Sequence, residues 1–150
     1  LDAVTQTSAR ILIAGCGTFS FALARTSAVP AFDSEADAIS ALTTAARNAQ
    51  GLKPVTAERR DLFRRPLSDA ELNAFDAVVI DPPRSGAKVQ CEQLAKSKVR
   101  RVIAVSCAPA TFARDARTLI DGGYALARIT PIDQFLWSPH IELVATFERS

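Results

Sequence analysis

The chain contains no methionine and begins at Leu1. Translation starts with methionine, so a processed product or an excised piece of a longer protein is expected. Metal and disulfide chemistry are poorly provided for. One histidine and three dispersed cysteines, Cys16, Cys91 and Cys107, form no zinc-ligand spacing, and their odd number makes no disulfide framework. That cysteine usage fits a reducing compartment, so a cytoplasmic protein with no metal in this chain is expected. No apolar run approaches the roughly 18 residues of a membrane-spanning helix, and no signal-peptide pattern opens the chain. A strong charge of one sign is lacking too. Lys+Arg 18 against Asp+Glu 16 leaves +2, too little to identify a partner by charge alone. Nor is there a Pro/Gly/Ser-rich linker, a repeat or a low-complexity tract. What remains is 150 residues, 48% of them apolar, the makings of one domain over residues 1–150 with a single substantial core. A monomer is expected.

Short apolar runs alternate with helical patterns. Residues 10–14 (RILIA) read as a buried strand ending at Gly15, and 19–25 as a short helix. A second strand is expected over 28–32, where Pro30 favours an edge-like or irregular start. Ser34 is placed to cap a helix carrying Ile39, Leu42, Ala46 and Ala49 on one face, with Gly51 as its stop. Then come a strand near 54–60, a helix near 68–74, a strand at 76–80, a helix near 88–96 and a strand at 100–106. The helix at 110–121 aligns Phe112, Ala116, Leu119 and Ile120 and ends at Gly122-Gly123. Strand-like runs at 124–132 and 141–148 close the chain. This order predicts an α/β fold: a mostly parallel sheet with helices on both faces and a terminal antiparallel hairpin. In such sheets ligands lie beyond the carboxyl ends of the strands, so the residues just after each strand are the candidates.

After the first strand stands Ala14-Gly15-Cys16-Gly17-Thr18-Phe19-Ser20. Its glycines let a backbone approach a ligand before a helix amino end, although Ser20 replaces the third glycine of the dinucleotide fingerprint. A plain tight turn is an equal reading. Asp33 follows the second strand, where a carboxylate can accept hydrogen bonds from ribose hydroxyls, or simply open a helix. Asp61, after the third, is a similar candidate for an adenine edge. Asp81-Pro82-Pro83-Arg84-Ser85-Gly86 follows the fourth, and two prolines stiffen the mount of Asp81. Cys107 follows the fifth, just before a helix with Pro109 in its first turn, where the helix dipole favours a thiolate. Cys91 shares a helix face with Leu94 and Ala95 and reads as core. Glu142 opens the final strand. If that strand inserts beside the fifth, Glu142 and Cys107 face one crevice, with the carboxylate placed as a base. His140 reads as positioning or structural.

Taken together, GCGTFS (15–20), DPPRSG (81–86), SCAPATFARD (106–115) and DQFLWSPHIE (133–142) resemble the successive motifs of bacterial RNA (uracil-5-)-methyltransferases. The resemblance runs from about residue 10 to 149. It implies the Rossmann-like fold of methyltransferases that use S-adenosylmethionine (SAM). It also implies transfer of a methyl group to C5 of a uridine in 23S rRNA or tRNA. On this resemblance Cys107 is the nucleophile and Glu142 the general base. Ile13, Gly15, Gly17, Thr18, Asp33 and Asp61 contact SAM, and Asp81 lies between SAM and the base. Arg84 is placed on the substrate side. The chain departs from the usual family pattern at Ile11 (commonly Asp), Ile13 (commonly aromatic), Ala108 (commonly Asn) and Asp33 (commonly Glu). Full members carry an upstream RNA-binding portion and a glutamine-containing cofactor motif before the first strand. The chain is therefore expected to be a carboxyl-terminal catalytic domain.

Basic residues cluster at Arg59, Arg60, Arg64 and Arg65, and at Lys96, Lys98, Arg100 and Arg101. They can meet RNA phosphates or be solvated surface, the latter being the simpler reading. Three other readings stay open. An amino-group methyltransferase fits Asp-Pro-Pro, but Arg84 stands where an aromatic is usual and Cys107 is left without a role. A non-catalytic SAM- or RNA-binding module fits the changes at Ile11, Ile13 and Ala108. A nicotinamide-dependent oxidoreductase is disfavoured by Ser20.

Overall fold

The computed structural model describes residues 11–15, 19–133, 137 and 140–150. Twelve elements follow in order: β1 (Ile11–Ala14), α1 (Phe19–Ala24), β2 (Val29–Asp33), α2 (Ala36–Asn48), β3 (Val55–Arg59), α3 (Asp69–Leu72), β4 (Ala77–Ile80), α4 (Lys88–Lys96), β5 (Arg101–Ser106), α5 (Pro109–Asp121), β6 (Ala125–Ile132) and β7 (Glu142–Glu148). One seven-stranded sheet orders them β3-β2-β1-β4-β5-β7-β6. The first five strands are mutually parallel, and β7 enters antiparallel between β5 and β6. The expected alternation and terminal hairpin are both present.

Period-two alternation explains the three layers, because successive strand residues face opposite sides. Val78 and Ile80 of β4 and Val102 and Ala104 of β5 pack with Leu72, Cys91, Leu94, Phe112, Ala116 and Leu119 from α3, α4 and α5. Ala77, Val79 and Ile103 turn to the other side, against Leu23 and Ala24 of α1 and Leu42 of α2. β4 is buried on both faces, hence its unbroken apolar sequence. Cys91 is core, as expected, and burial pushes its thiol far above the ordinary range. Full burial of a side chain such as Leu94 contributes about 2 kcal/mol.

Three local expectations are corrected. Ser34 does not cap α2: the cap position is Glu35, which makes no side-chain cap bond, and Asp33 Oδ1 accepts the Glu35 N–H at 2.9 Å. The carboxylate one residue earlier has taken the local donor. Pro30 lies in an internal strand, not an edge. Its missing donor faces β1 ahead of the first described β1–β2 pair, Ile13↔Ala31, whereas the neighbouring Val29 N–H is used toward β3, on Pro54 O. Ile120 is 39% exposed, not core, because the buried stripe of α5 runs through Phe112, Asp115, Ala116 and Leu119. α3 is only four residues long but has a complete capping box between Ser68 and Glu71. Among the described residues no helix is long and apolar enough to cross a membrane.

Candidate active site

The strand order reverses between β1 and β4, and a crevice opens there at the carboxyl ends of the parallel strands. Five neighbouring strands each deliver one candidate to that edge. In spatial order they are Asp33 at the end of β2, Gly15 after β1, Asp81 after β4, Cys107 after β5 and Glu142 at the start of β7. Backbone pairing sets their relative heights. Ala14 pairs with Phe32 and with Ile80, so Gly15 stands level with Asp33 and Asp81. Ser106 pairs with Leu143 across the antiparallel β5–β7 ladder. Cys107 and Glu142 are the residues that adjoin this last pair at the crevice end of the ladder. The Arg101–Glu148 ion pair, 2.8 Å, closes the other end of the same ladder.

Beside this row is an open cleft of about 570 Å³, lined by Gly15, Phe32, Asp33, Asp61, Phe63 and Asp81 among others. Gly15 has φ +115°, and a Cβ there would lie 2.8 Å from Asp81 O. Only glycine fits both the conformation and the close approach. Asp33 and Asp61 serve their own loops as well as facing the cleft. Asp61 Oδ1 accepts the N–H groups of Phe63 and Arg64 at 2.9 and 3.2 Å, closing a turn that leaves the Phe63 ring 48% exposed. Asp81 is open to the cleft but crowded by protein behind it. That partial desolvation, with the negative charges of Glu142 and Asp33, pushes its carboxyl above the ordinary aspartate range. The Asp81 carboxylate is thus close enough to feel those of Asp33 at the end of β2 and Glu142 at the start of β7. Ile13 is in β1, paired with Ala31 and Val79. Cys16, Gly17 and Thr18 lie outside the described residues.

Cys107 is half-buried and precedes α5, whose cap residue Ala108 donates its N–H to Ser106 Oγ at 3.2 Å. Arg84 is exposed, and its carbonyl accepts the Thr111 hydroxyl at 2.8 Å. His140 is exposed at the approach to β7. Sequence reasoning missed the buried carboxylate of Asp115. It accepts the Ala87 N–H at 2.6 Å and is held by Arg114 at 2.7 Å, while Arg114 also reaches Ser85 O at 3.0 Å. Gly86, with φ +80°, packs so closely that a Cβ would fall 2.5 Å from Asp115 Oδ2. The loop carrying Asp81 and the helix following Cys107 are therefore tied together. An acid on the Phe112–Ala116–Leu119 stripe was the available signal.

The first basic cluster is absorbed by local structure. Arg60 donates to Glu71 at 2.7 Å and to Arg65 O and Pro66 O, Arg59 to Ser34 O, while Arg64 and Arg65 pair with Asp61 and Glu58. The second cluster surrounds the start of β5, at the end of the sheet away from the crevice. Among the described residues no three His, Cys, Asp or Glu side chains are grouped to hold a metal.

An uncharacterised RNA methyltransferase of Agrobacterium fabrum is 58% identical over 138 residues, which are 92% of this chain and 33% of that protein. A 23S rRNA (uracil(1939)-C(5))-methyltransferase, RlmD, of Chromohalobacter salexigens is 38% identical over 92% of the chain and 28% of its own length. The chain thus spans about a third of the length of the curated relatives it matches. The crystal structure of Pyrococcus abyssi tRNA (uracil-54, C5)-methyltransferase with S-adenosyl-L-homocysteine superposes with a TM-score of 0.74. It is 33% identical and covers 93% of this chain and 34% of that one. The family model described as tRNA (uracil-5-)-methyltransferase matches residues 4–150, and the chain belongs to that family.

Proposed function

We propose that this chain is the catalytic domain of an RNA (uracil-5-)-methyltransferase that takes its methyl group from SAM and modifies a uridine of 23S rRNA or tRNA. The observation that carries the reading is the β5–β7 register: its last pair, Ser106↔Leu143, adjoins Cys107 and Glu142, and Glu142 is near enough to Asp81 to act on its carboxyl. The cleft suits the cofactor. Gly15 leaves room that a Cβ would fill, Asp33 faces the cleft as an acceptor for ribose hydroxyls, and Asp61 with the exposed Phe63 ring suits an adenine. Ile13, Gly17 and Thr18 complete the proposed cofactor loop. When bound, SAM supplies the electrophilic methyl group that C5 acquires.

The remaining chemistry belongs to the chain. C5 of uracil is a poor nucleophile. Addition of the Cys107 thiolate to C6 forms an S–C6 bond and moves the C5–C6 π pair into an enolate, which makes C5 nucleophilic. After C5 gains its methyl group, the Glu142 carboxylate accepts the C5 proton. The C5–C6 double bond re-forms and the thiolate leaves. Asp81, between the two halves of the crevice, orients the uracil edge, and Arg84 meets the substrate from the loop it shares with Asp81.

RNA substituted with 5-fluorouridine tests the mechanism, because its C5 substituent cannot leave as a proton. Incubation with SAM is expected to trap a covalent protein–RNA complex that survives denaturing electrophoresis. Cys107→Ala is expected to abolish the complex and to slow methyl transfer by on the order of 10⁴-fold or more. A complex that persists in Cys107→Ala overturns the nucleophile.

A further inference from the structure

Trp137 is the single tryptophan of the chain, and it is fully exposed, at 103% of its reference surface. It is also the one non-glycine residue among those described with positive φ, at 61°. Each property is unfavourable. Leaving an indole in water forgoes some of the largest burial gains any side chain offers, and a bulky residue in the left-handed region is strained by roughly 1–2 kcal/mol. Strain and exposure on one aromatic residue point to a task outside the folded chain.

Its place narrows the task. β6 ends at Ile132 and β7 begins at Glu142, and their connection lies at the crevice end of the sheet, since Ile132 pairs with Glu142 there. Trp137 therefore belongs to the connection that leaves β6 and enters β7 at this rim. The described residues nearest it in the connection, Asp133 and His140, are polar and exposed. An exposed flat ring at the rim of a site proposed to act on a nucleobase suits a stacking partner. Chemistry on a base also requires it to leave its stack, which exposes the faces of its neighbours.

We infer that Trp137 is a binding residue that stacks on an unpaired base of the RNA next to the target uridine. This inference rests on the RNA methyltransferase reading. Arg84, exposed on the β4 loop, is available for the adjoining phosphate.

The lone tryptophan makes its own probe. The chain is titrated with a fluorescein-labelled single-stranded oligouridylate, following label anisotropy and tryptophan emission together, with heparin as a polyanion control. Emission is expected to fall in step with RNA binding but not with heparin. Trp137→Ala is expected to weaken RNA binding by roughly 5- to 100-fold, the loss of one base–aromatic stack. Trp137→Phe is expected to remain within about threefold, since it keeps a ring. Circular dichroism should be unchanged in both, because the side chain packs against nothing. RNA binding with unquenched emission and unaltered affinity in Trp137→Ala overturns the stacking role. So does failure of the wild-type chain to bind the oligonucleotide at all. Methyl incorporation from labelled SAM, measured on the same preparations, reports separately on the reaction: incorporation that persists in either case leaves the methyltransferase reading standing while the stacking role falls.

Discussion

The β3 flank and the mouth of the crevice handle charge in opposite ways. On the flank, Arg60 is only 10% exposed, yet its guanidinium is satisfied by Glu71 and by the carbonyls of Arg65 and Pro66. Arg60, helped by the Ser68 N–H, holds the Glu71 carboxyl down to about 2. At the mouth, Asp33, Asp81 and Glu142 converge and the Asp81 carboxyl is pushed up. Opposite charges matched in pairs make a mount. Like charges brought together against their repulsion mark the candidate site, whereas the matched pairs belong to its frame.

The comparison breaks most sharply at Glu142. Glu142→Gln is expected to lower methyl transfer roughly 10²- to 10⁴-fold, the usual contribution of a general base. Its melting temperature should stay close to that of the parent chain, and the methylated covalent RNA adduct should accumulate on denaturing gels. An unchanged rate would assign proton removal elsewhere.

The flank should show the reverse pattern. Arg60→Ala leaves Glu71 and two carbonyls without their donor and is expected to cost roughly 1–2 kcal/mol in denaturant unfolding, because solvent around the half-open Glu71 screens the pair while the carbonyls lose a charged donor. Methyl transfer per folded molecule should change little. The pH dependence carries a definite sign. Glu71 has a folded pKa below its unfolded value of about 4.3. The stability it contributes is therefore present above that pH and is lost as pH falls towards about 2. Glu71→Gln should abolish that part of the acid dependence.

The smallest effect is expected at Asp81, and it has the opposite sign. Its folded pKa lies above the unfolded value of about 3.9. The protonated form favours folding below that pH, and this contribution is lost as pH rises through the elevated folded value. Asp81→Asn should therefore match the parent chain in acid and exceed it at neutral pH by at most about 1 kcal/mol, since solvent in the cleft screens the charges. Methyl transfer should fall while stability rises. A neutral or destabilising Asp81→Asn would show that the convergence of acids is not strained.

Much of this architecture was legible in the residue pattern. The apolar runs of β4 and β5, the amphipathic stripe of α5 and the glycines and acids after the strands identify the elements and name most of the crevice. Errors arose where two local signals competed. Ser34 was the better cap by type, but Asp33 reached the Glu35 N–H first. Ile120 fits the apolar period, but it sits on the shoulder of the stripe beside the last turn of α5. The Arg59–Arg65 run carried no sign of its many internal partners, which come from Glu71, from Glu58 and from backbone carbonyls exposed by particular turns.

The sequence by itself determined the alternation of strands and helices, and with it a parallel sheet whose strand ends hold Gly15, Asp33, Asp81 and Cys107. Helical and strand periods are local, so a few residues suffice to set them. Only the tertiary structure decided that β7 inserts beside β5, and that Ser106 pairs with Leu143 so that Cys107 and Glu142 flank the same end of the ladder. The clamp of Asp115 on Ala87 is likewise tertiary. Register and strand order are chosen by burial summed over the whole sheet. A shift of one residue would turn Leu143, Ala145 and Phe147 out of the core, and no local pattern contains that comparison.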